Sequence, residues 1–381
     1  MVFKKALTLT AQIFIAVLAL EFFSYLASVN NLLLFNDTPS WTPLRYEEPL
    51  RTEKHPWGAW RDPYTRSRHR KQCFDVEVTT NEFGARDDPF DIEDENSIIL
   101  LGDSFAEGYG VKHEDTAATL LEVRLKRKVH NLGSSGNFGP LQQYLLYEAL
   151  AGDIKHNELI IFFLPANDFV DNDRKYWSVP ATLRSRYRPY FGEENILTPF
   201  YFPSAVPTSK FPSAGFESQQ GWLATVKWSL IQYTWSANTL RTARILWNSR
   251  EPLMSDQVTT FYKAATELQQ ANVVASYEAI AKVANGRRVS VVIIPSILDI
   301  KYLQGDRNQH SYKSEHWYQG LKRIAEKSGG SLVNLLEVVP KEWRPLFFSC
   351  DGHWSPAGNA WAAGFIFERV FKNDPEPPYE I

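Results

Sequence analysis

The sequence predicts an α/β fold in which a parallel sheet is covered by helices on both faces. Three observations lead there. From residue 97 onward, short apolar runs rich in β-branched residues alternate with longer stretches of helical spacing. The runs break off at Gly-, Asn- or Pro-bearing loops. The chain, at 381 residues, is long enough for one elaborated domain with a sizeable core. The strand-like runs are 97–101, 129–132, 159–164 and 289–294, with a weaker one at 331–335. Helical segments are predicted at 115–127, 140–151, 257–285, 313–328 and 356–371. In a sheet of this kind, ligands sit beyond the carboxyl ends of the strands.

The amino end stands apart. Lys4 and Lys5 precede a mostly apolar run at 6–27 that only Glu21 interrupts, long enough to cross a bilayer as one helix. The lysines assign their flank to the cytoplasm and the rest of the chain to the outside, which predicts a single-pass anchor at 1–35 with an extracytoplasmic body. A cleaved signal peptide is the competing reading, although no Ala-x-Ala site follows the run and no cysteine offers lipidation. Residues 36–96, with prolines at 39, 43, 49, 56 and 63 and the basic run RSRHRKQ, read as a tether and approach to the domain at 97–381. The two cysteines, Cys73 and Cys350, can pair in an oxidising compartment or remain two buried thiols; a bridge would brace the neighbour of Asp351. With 41 basic and 44 acidic residues and neither sign in a long block, nothing points to nucleic acid as a partner. The interval at about 169–256 is too long for a crossover and reads as a lid or small subdomain at the end of the third strand.

The chemistry concentrates in loops after strands. In SIILLGDSFAEGYG, the first run stops at Gly102 and presents Asp103 and Ser104 in a glycine-bracketed turn. Backbone N–H groups point outward there and can hold an oxyanion. Ser104 is therefore placed as a nucleophile, the alternative being that Asp103 and Ser104 only cap a helix. A serine needs a base, and the base needs an acid to fix its tautomer. In SCDGHWSPAGNAWAA, Asp351 and His353 flank one glycine, while Ser355 and Pro356 form an N-cap and first helical position. GSSGNFGP offers the unobstructed backbone N–H of Gly136, and PANDF offers the side-chain amide of Asn167. Metal-ligand spacings such as H-E-x-x-H and paired C-x-x-C are absent from the sequence.

Ser104 in GDS, Gly136 in NLGSSG, Asn167 in AND and the Asp351/His353 pair in DGH follow the order found in SGNH (GDSL-type) hydrolases, and the sequence resembles a membrane-anchored bacterial member. The resemblance covers 97–170 and 286–371 and leaves the tether and insertion uncovered. It implies a three-layer α/β/α, flavodoxin-like fold with a five-stranded parallel sheet and no cofactor or metal. It also implies Ser104 as nucleophile, His353 as general base and Asp351 as its orienting partner, with an oxyanion hole made by the N–H groups of Ser104 and Gly136 and the Asn167 side chain. Two departures stand out. DGH has one residue between acid and base where many members have two, similar to the branch that includes alginate-type O-acetyltransferases, and PAND replaces the common GGND. The implied function is a serine esterase or O-acyltransferase acting on an acylated cell-envelope glycan, a substrate class suited to the aromatic residues Tyr176, Trp177, Tyr187 and Tyr190 of the insertion. A non-catalytic glycan-binding or assembly protein on the same scaffold, or a lipid-ester hydrolase, is the alternative.

Overall fold

The computed structural model describes residues 2–30, 32, 50–71, 73–136, 138–173, 188–192, 197, 226, 229–230, 233–248, 261–304 and 311–372. Most of the expected insertion, with Tyr176, Trp177 and Tyr187, lies outside the described residues.

Five strands form one parallel sheet: β5 (Ile98–Leu101), β6 (Val129–Asn131), β7 (Glu158–Phe163), β8 (Arg288–Ile293) and β9 (Leu332–Asn334), in the spatial order β6-β5-β7-β8-β9. These strands read as continuous apolar runs because both faces are covered. Ile99, Leu101, Ile161, Phe163, Val291 and Ile293 belong to one core cluster, and Ile98, Leu100, Ile160, Phe162 and Val292 to the other. Burying each such side chain contributes roughly 1.5–3 kcal/mol. On the first face lie α4 (Pro140–Leu150), α8 (Glu267–Ala284) and α10 (His316–Lys327); on the second lie α3 (Ala117–Leu125) and α11 (Pro356–Ile366). The result is the expected three-layer α/β/α arrangement in flavodoxin-like strand order, with the switch point between β5 and β7.

Three elements depart from the sequence reading. The predicted helix at 257–285 is two helices, α7 (Phe261–Ala264) and α8, because Thr266 and Gln269 form a capping box that starts a new helix. The last helix leaves α geometry at Ile366 and widens into a π turn over Phe367–Phe371. α9 (Ile297–Gln304) follows β8 where no helix was predicted.

The largest difference is in the segment expected to be tether. It holds four strands, β1 (Leu50–His55), β2 (Gly58–Arg61), β3 (Arg66–Lys71) and β4 (Phe74–Thr79), paired as two antiparallel hairpins. The basic run is β3 itself, an alternating strand that buries Ser67 and His69 and exposes Arg66. Ahead of it, α1 (Val2–Val29) is a single helix, and its stretch Thr8–Ser28 is long and apolar enough to cross a bilayer.

Candidate active site

β5 ends at Gly102, where a side chain has no room: a Cβ there would lie 2.7 Å from Ala106 Cβ and 2.8 Å from Phe162 Cβ. The chain turns directly into α2 (Ser104–Glu107), with Asp103 as N-cap, its Oδ1 accepting from Phe105 N–H at 2.9 Å. Gly108 closes this single turn at φ +78° and donates its N–H to the Ser104 carbonyl. Ser104 is thus the first residue of a helix, and its own N–H is not consumed by the helical ladder.

The second contribution comes from the loop after β9. Ser355 caps α11 by accepting from Gly358 N–H at 3.3 Å, and it donates to the Pro345 carbonyl at 2.6 Å. Trp354, 1% exposed, packs on Phe105 with ring centroids 4.9 Å apart. These anchors fix His353 between them. Its Nε2 lies 2.7 Å from Ser104 Oγ, and its Nδ1 faces Asp351 Oδ1 in a short hydrogen bond. Asp351 Oδ1 also accepts the backbone N–H of His353 at 2.9 Å, so the Asp-Gly-His turn sets the orientation of its own carboxylate. Phe105 and Tyr109 flank the imidazole, with centroids 5.1 and 4.7 Å away. The hydroxyl, ring and carboxylate named from the sequence stand in one hydrogen-bonded line.

The hairpins hold this line from behind, through a disulfide the sequence offered and through Lys71, Arg61 and His69, which the sequence reading missed. Lys71, at the end of β3, pairs with Asp351 Oδ2, and Cys73 in the following turn is disulfide-bonded to Cys350, with Cα atoms 5.8 Å apart. Burial opposes ionisation of Asp351, but the hydrogen bond and charge of His353 and the Lys71 ammonium outweigh it and hold the carboxyl below its ordinary range. Glu107, three residues after Ser104, is fully buried. It accepts from Arg61 and from Ser135 N–H, and His69 Nε2 lies 3.3 Å away. Burial again opposes its charge, and Arg61, His69 and Arg86 overcome it, so Glu107 is held below the usual carboxylate range. One carboxylate thereby ties α2, the hairpins and the loop after β6 together. The spacing of Cys73 and Cys350 was the available signal: a bridge places whatever precedes Cys73 beside Asp351.

The two residues expected as oxyanion donors stand differently. Gly136 lies in the loop after β6 at φ +90°, a conformation that favours glycine. Its carbonyl is held by Arg188 Nη2 at 2.8 Å, while Arg188 Nη1 donates to the Asp171 carbonyl at 3.0 Å. Asn167, in α5 (Pro165–Asp168) after β7, reaches the residue before Ser104, but its amide nitrogen is shared between Asp103 Oδ2 at 3.2 Å and Asp171 Oδ2 at 2.7 Å. The oxyanion contact expected of Asn167 therefore requires it to exchange one of these carboxylates. Asp103 and Asp168 are both buried. Desolvation pushes both carboxyls up, against the Phe105 N–H and Asn167 at Asp103, and reinforced by Asp103 and Asp171 at Asp168.

As a whole, the arrangement can generate an alkoxide from Ser104 by proton transfer to His353, with Asp351 positioned to stabilise the imidazolium. No protein-family model matches the sequence, and no curated protein is significantly similar. Among solved structures, the chain is similar to a protein described as a putative lipolytic protein of the G-D-S-L family from Desulfitobacterium hafniense, at 12% identity and a TM-score of 0.36, over 72% of this chain and 98% of the other. It is similar to a protein named TesA at 12% identity and a TM-score of 0.36, over 72% and 97% of the two chains. A third is an acetyl xylan esterase, Est2A, from the rumen bacterium Butyrivibrio proteoclasticus, at 11% identity and a TM-score of 0.33, over 78% and 71%. At scores of this size, strand order and site geometry carry the assignment of the fold.

Proposed function

We propose that the protein is an SGNH-type serine esterase or O-acyltransferase that works through an acyl-Ser104 intermediate, held at a membrane by α1. The observation that carries this reading is the line from Ser104 Oγ to His353 Nε2 and from His353 Nδ1 to Asp351 Oδ1. In the first half-reaction, Ser104 Oγ attacks the ester carbonyl carbon as its proton passes to His353 Nε2. The tetrahedral intermediate collapses, the alcohol leaves with that proton, and the acyl group remains on Ser104. In the second, His353 deprotonates water or a sugar hydroxyl, which attacks the acyl-serine and restores the enzyme. The N–H groups of Ser104 and Gly136 are assigned to the oxyanion, each donor contributing about 10²- to 10³-fold in rate. Asn167 joins them only after releasing Asp103 or Asp171.

The substrate we assign is an acylated glycan of the cell envelope, reached from the periplasmic side of the bacterial inner membrane. Support comes from the Lys4/Lys5 flank of α1, which orients the body outward, and from the Cys73–Cys350 disulfide, a bond that persists in oxidising compartments. Hydrolysis of p-nitrophenyl acetate by the purified protein tests the activity. Turnover is expected to fall at least about 10³-fold in Ser104→Ala; equal rates in the two proteins would remove Ser104 from its role. Binding of acetylated glycan that survives Ser104→Ala, with no ester turned over by either protein, would instead make this a binding module.

A further inference from the structure

α1 carries a polar stripe on an apolar surface. Glu21, Ser24 and Ser28 fall at i, i+3 and i+7 and share one face of the helix. Ser24 and Ser28 are 4% and 0% exposed, whereas Ile13, Phe14, Val17, Leu18, Phe22 and Phe23 are each more than half exposed. Among the described residues, α6 (Trp235–Asn248) packs against α1. Glu21 Oε1 accepts from Trp235 N–H at 2.6 Å and Glu21 Oε2 from Ser236 N–H at 2.9 Å, so the carboxylate caps the amino end of α6. Tyr25 meets the Trp235 ring edge-on at 5.7 Å, and Trp235 and Asn238 are each 1% exposed.

A carboxylate inside an apolar span is costly unless it finds donors. Two backbone N–H groups and the positive end of a helix dipole provide them here. A leader destined for removal has no need of this partner, and its loss would uncover Trp235 and leave the first turn of α6 without its cap. Glu21 and Ser28 also mark the depth: they lie toward the end of the span opposite Lys4 and Lys5, which is the outer interface. Directly before α6, Val226, Leu230 and Tyr233 recur at i, i+4 and i+7 and are 47%, 50% and 54% exposed, and within it Leu240 is 63% exposed while Arg241 and Arg244 supply charge. Apolar side chains beside cationic ones, next to a spanning helix, fit the headgroup boundary of a bilayer.

We propose that α6 is an interfacial membrane helix docked on a retained α1, resting on the outer surface of the lipid bilayer. The proposal depends on α1 spanning the membrane. Arg188, which precedes α6 in the sequence, holds the Gly136 carbonyl.

The test uses the full chain in phosphatidylcholine–phosphatidylglycerol vesicles. A polarity-sensitive fluorophore is attached to one added cysteine at Leu240, at Phe14 in α1 or at Val123 on α3, and is quenched by lipids spin-labelled near the headgroup. Quenching at Leu240→Cys is expected to exceed that at Val123→Cys at least threefold, and to fall at least twofold when Glu21→Leu is added, with Phe14→Cys unaffected. Intact mass is expected to show the amino-terminal helix still attached. Quenching at Phe14→Cys with none at Leu240→Cys above the Val123→Cys level overturns the proposal and leaves the anchor standing. No quenching at either overturns the anchor. A blue-shifted but unquenched fluorophore at Leu240→Cys means that protein, such as a second copy of this chain, covers the site, and this also overturns the proposal.

Discussion

Asp351 has two partners rather than one, and that defines the site at the scale of single residues. Its Oδ1 serves His353 and its Oδ2 serves Lys71, so the carboxylate is clamped from both sides. Asp351→Asn keeps the shape but loses the acceptor that fixes the imidazole tautomer, and kcat is expected to fall about 10²- to 10⁴-fold. Lys71 touches no reacting atom; it is a positioning residue. Its ammonium holds Asp351 through Oδ2, the carboxylate oxygen that His353 does not use. In Lys71→Met, kcat/KM is expected to drop roughly tenfold through loss of positioning. The loss is expected in kcat with KM little changed, and Lys71→Arg is expected to restore most of it by returning a cation to Asp351. A loss that Lys71→Arg does not restore, or one that falls on KM alone, would reduce Lys71 to a structural role.

The elements show which parts of this site were legible in the sequence and which were not. Apolar runs covered on both faces gave away all five strands of the sheet, since period and composition are local properties. Ser104, Asp351 and His353 were legible because strand ends and helix caps are also local: Gly102, Gly108, Ser355 and Pro356 each mark a turn by conformation alone. The hairpins were not. β3 alternates Arg66, Arg68 and Arg70 on one face with Ser67, His69 and Lys71 on the other, and the partners that receive His69 and Lys71, Glu107 and Asp351, are distant in sequence. Charge runs in isolation read as solvated; here they answer buried carboxylates distant in sequence. Gly102→Ala tests the tightness of the nucleophile turn. Its Cβ would collide with Ala106 and Phe162, and a destabilisation of about 1–3 kcal/mol with loss of activity is expected in thermal or urea unfolding.

Over the whole molecule, the hairpins, the turn at Ser104 and the loop of Asp351 and His353 are locked by one disulfide, one buried ion pair and one partly buried ion pair. The Cys73–Cys350 bridge spans 277 residues of sequence, and its contribution through restriction of the unfolded chain is on the order of 5 kcal/mol. Cys73→Ser with Cys350→Ser is expected to lower Tm and to lower kcat as the Asp351 loop loosens, both read on the same sample. Glu107 and Asp351 are held below their unfolded carboxyl values, so the stability they contribute is full above roughly pH 4 and is lost as pH falls further and protonates them. Arg61→Met strands the Glu107 charge in the interior and is expected to cost about 3–5 kcal/mol at neutral pH, a loss that shrinks as acid neutralises Glu107. In the proposed function, this structure serves to activate one hydroxyl. Reaction of the purified protein with a fluorophosphonate, followed by mass spectrometry of its peptides, is expected to give a single adduct on Ser104, absent in Ser104→Ala and strongly slowed in His353→Ala; an unlabelled protein, or an adduct that persists in Ser104→Ala, would overturn the assignment.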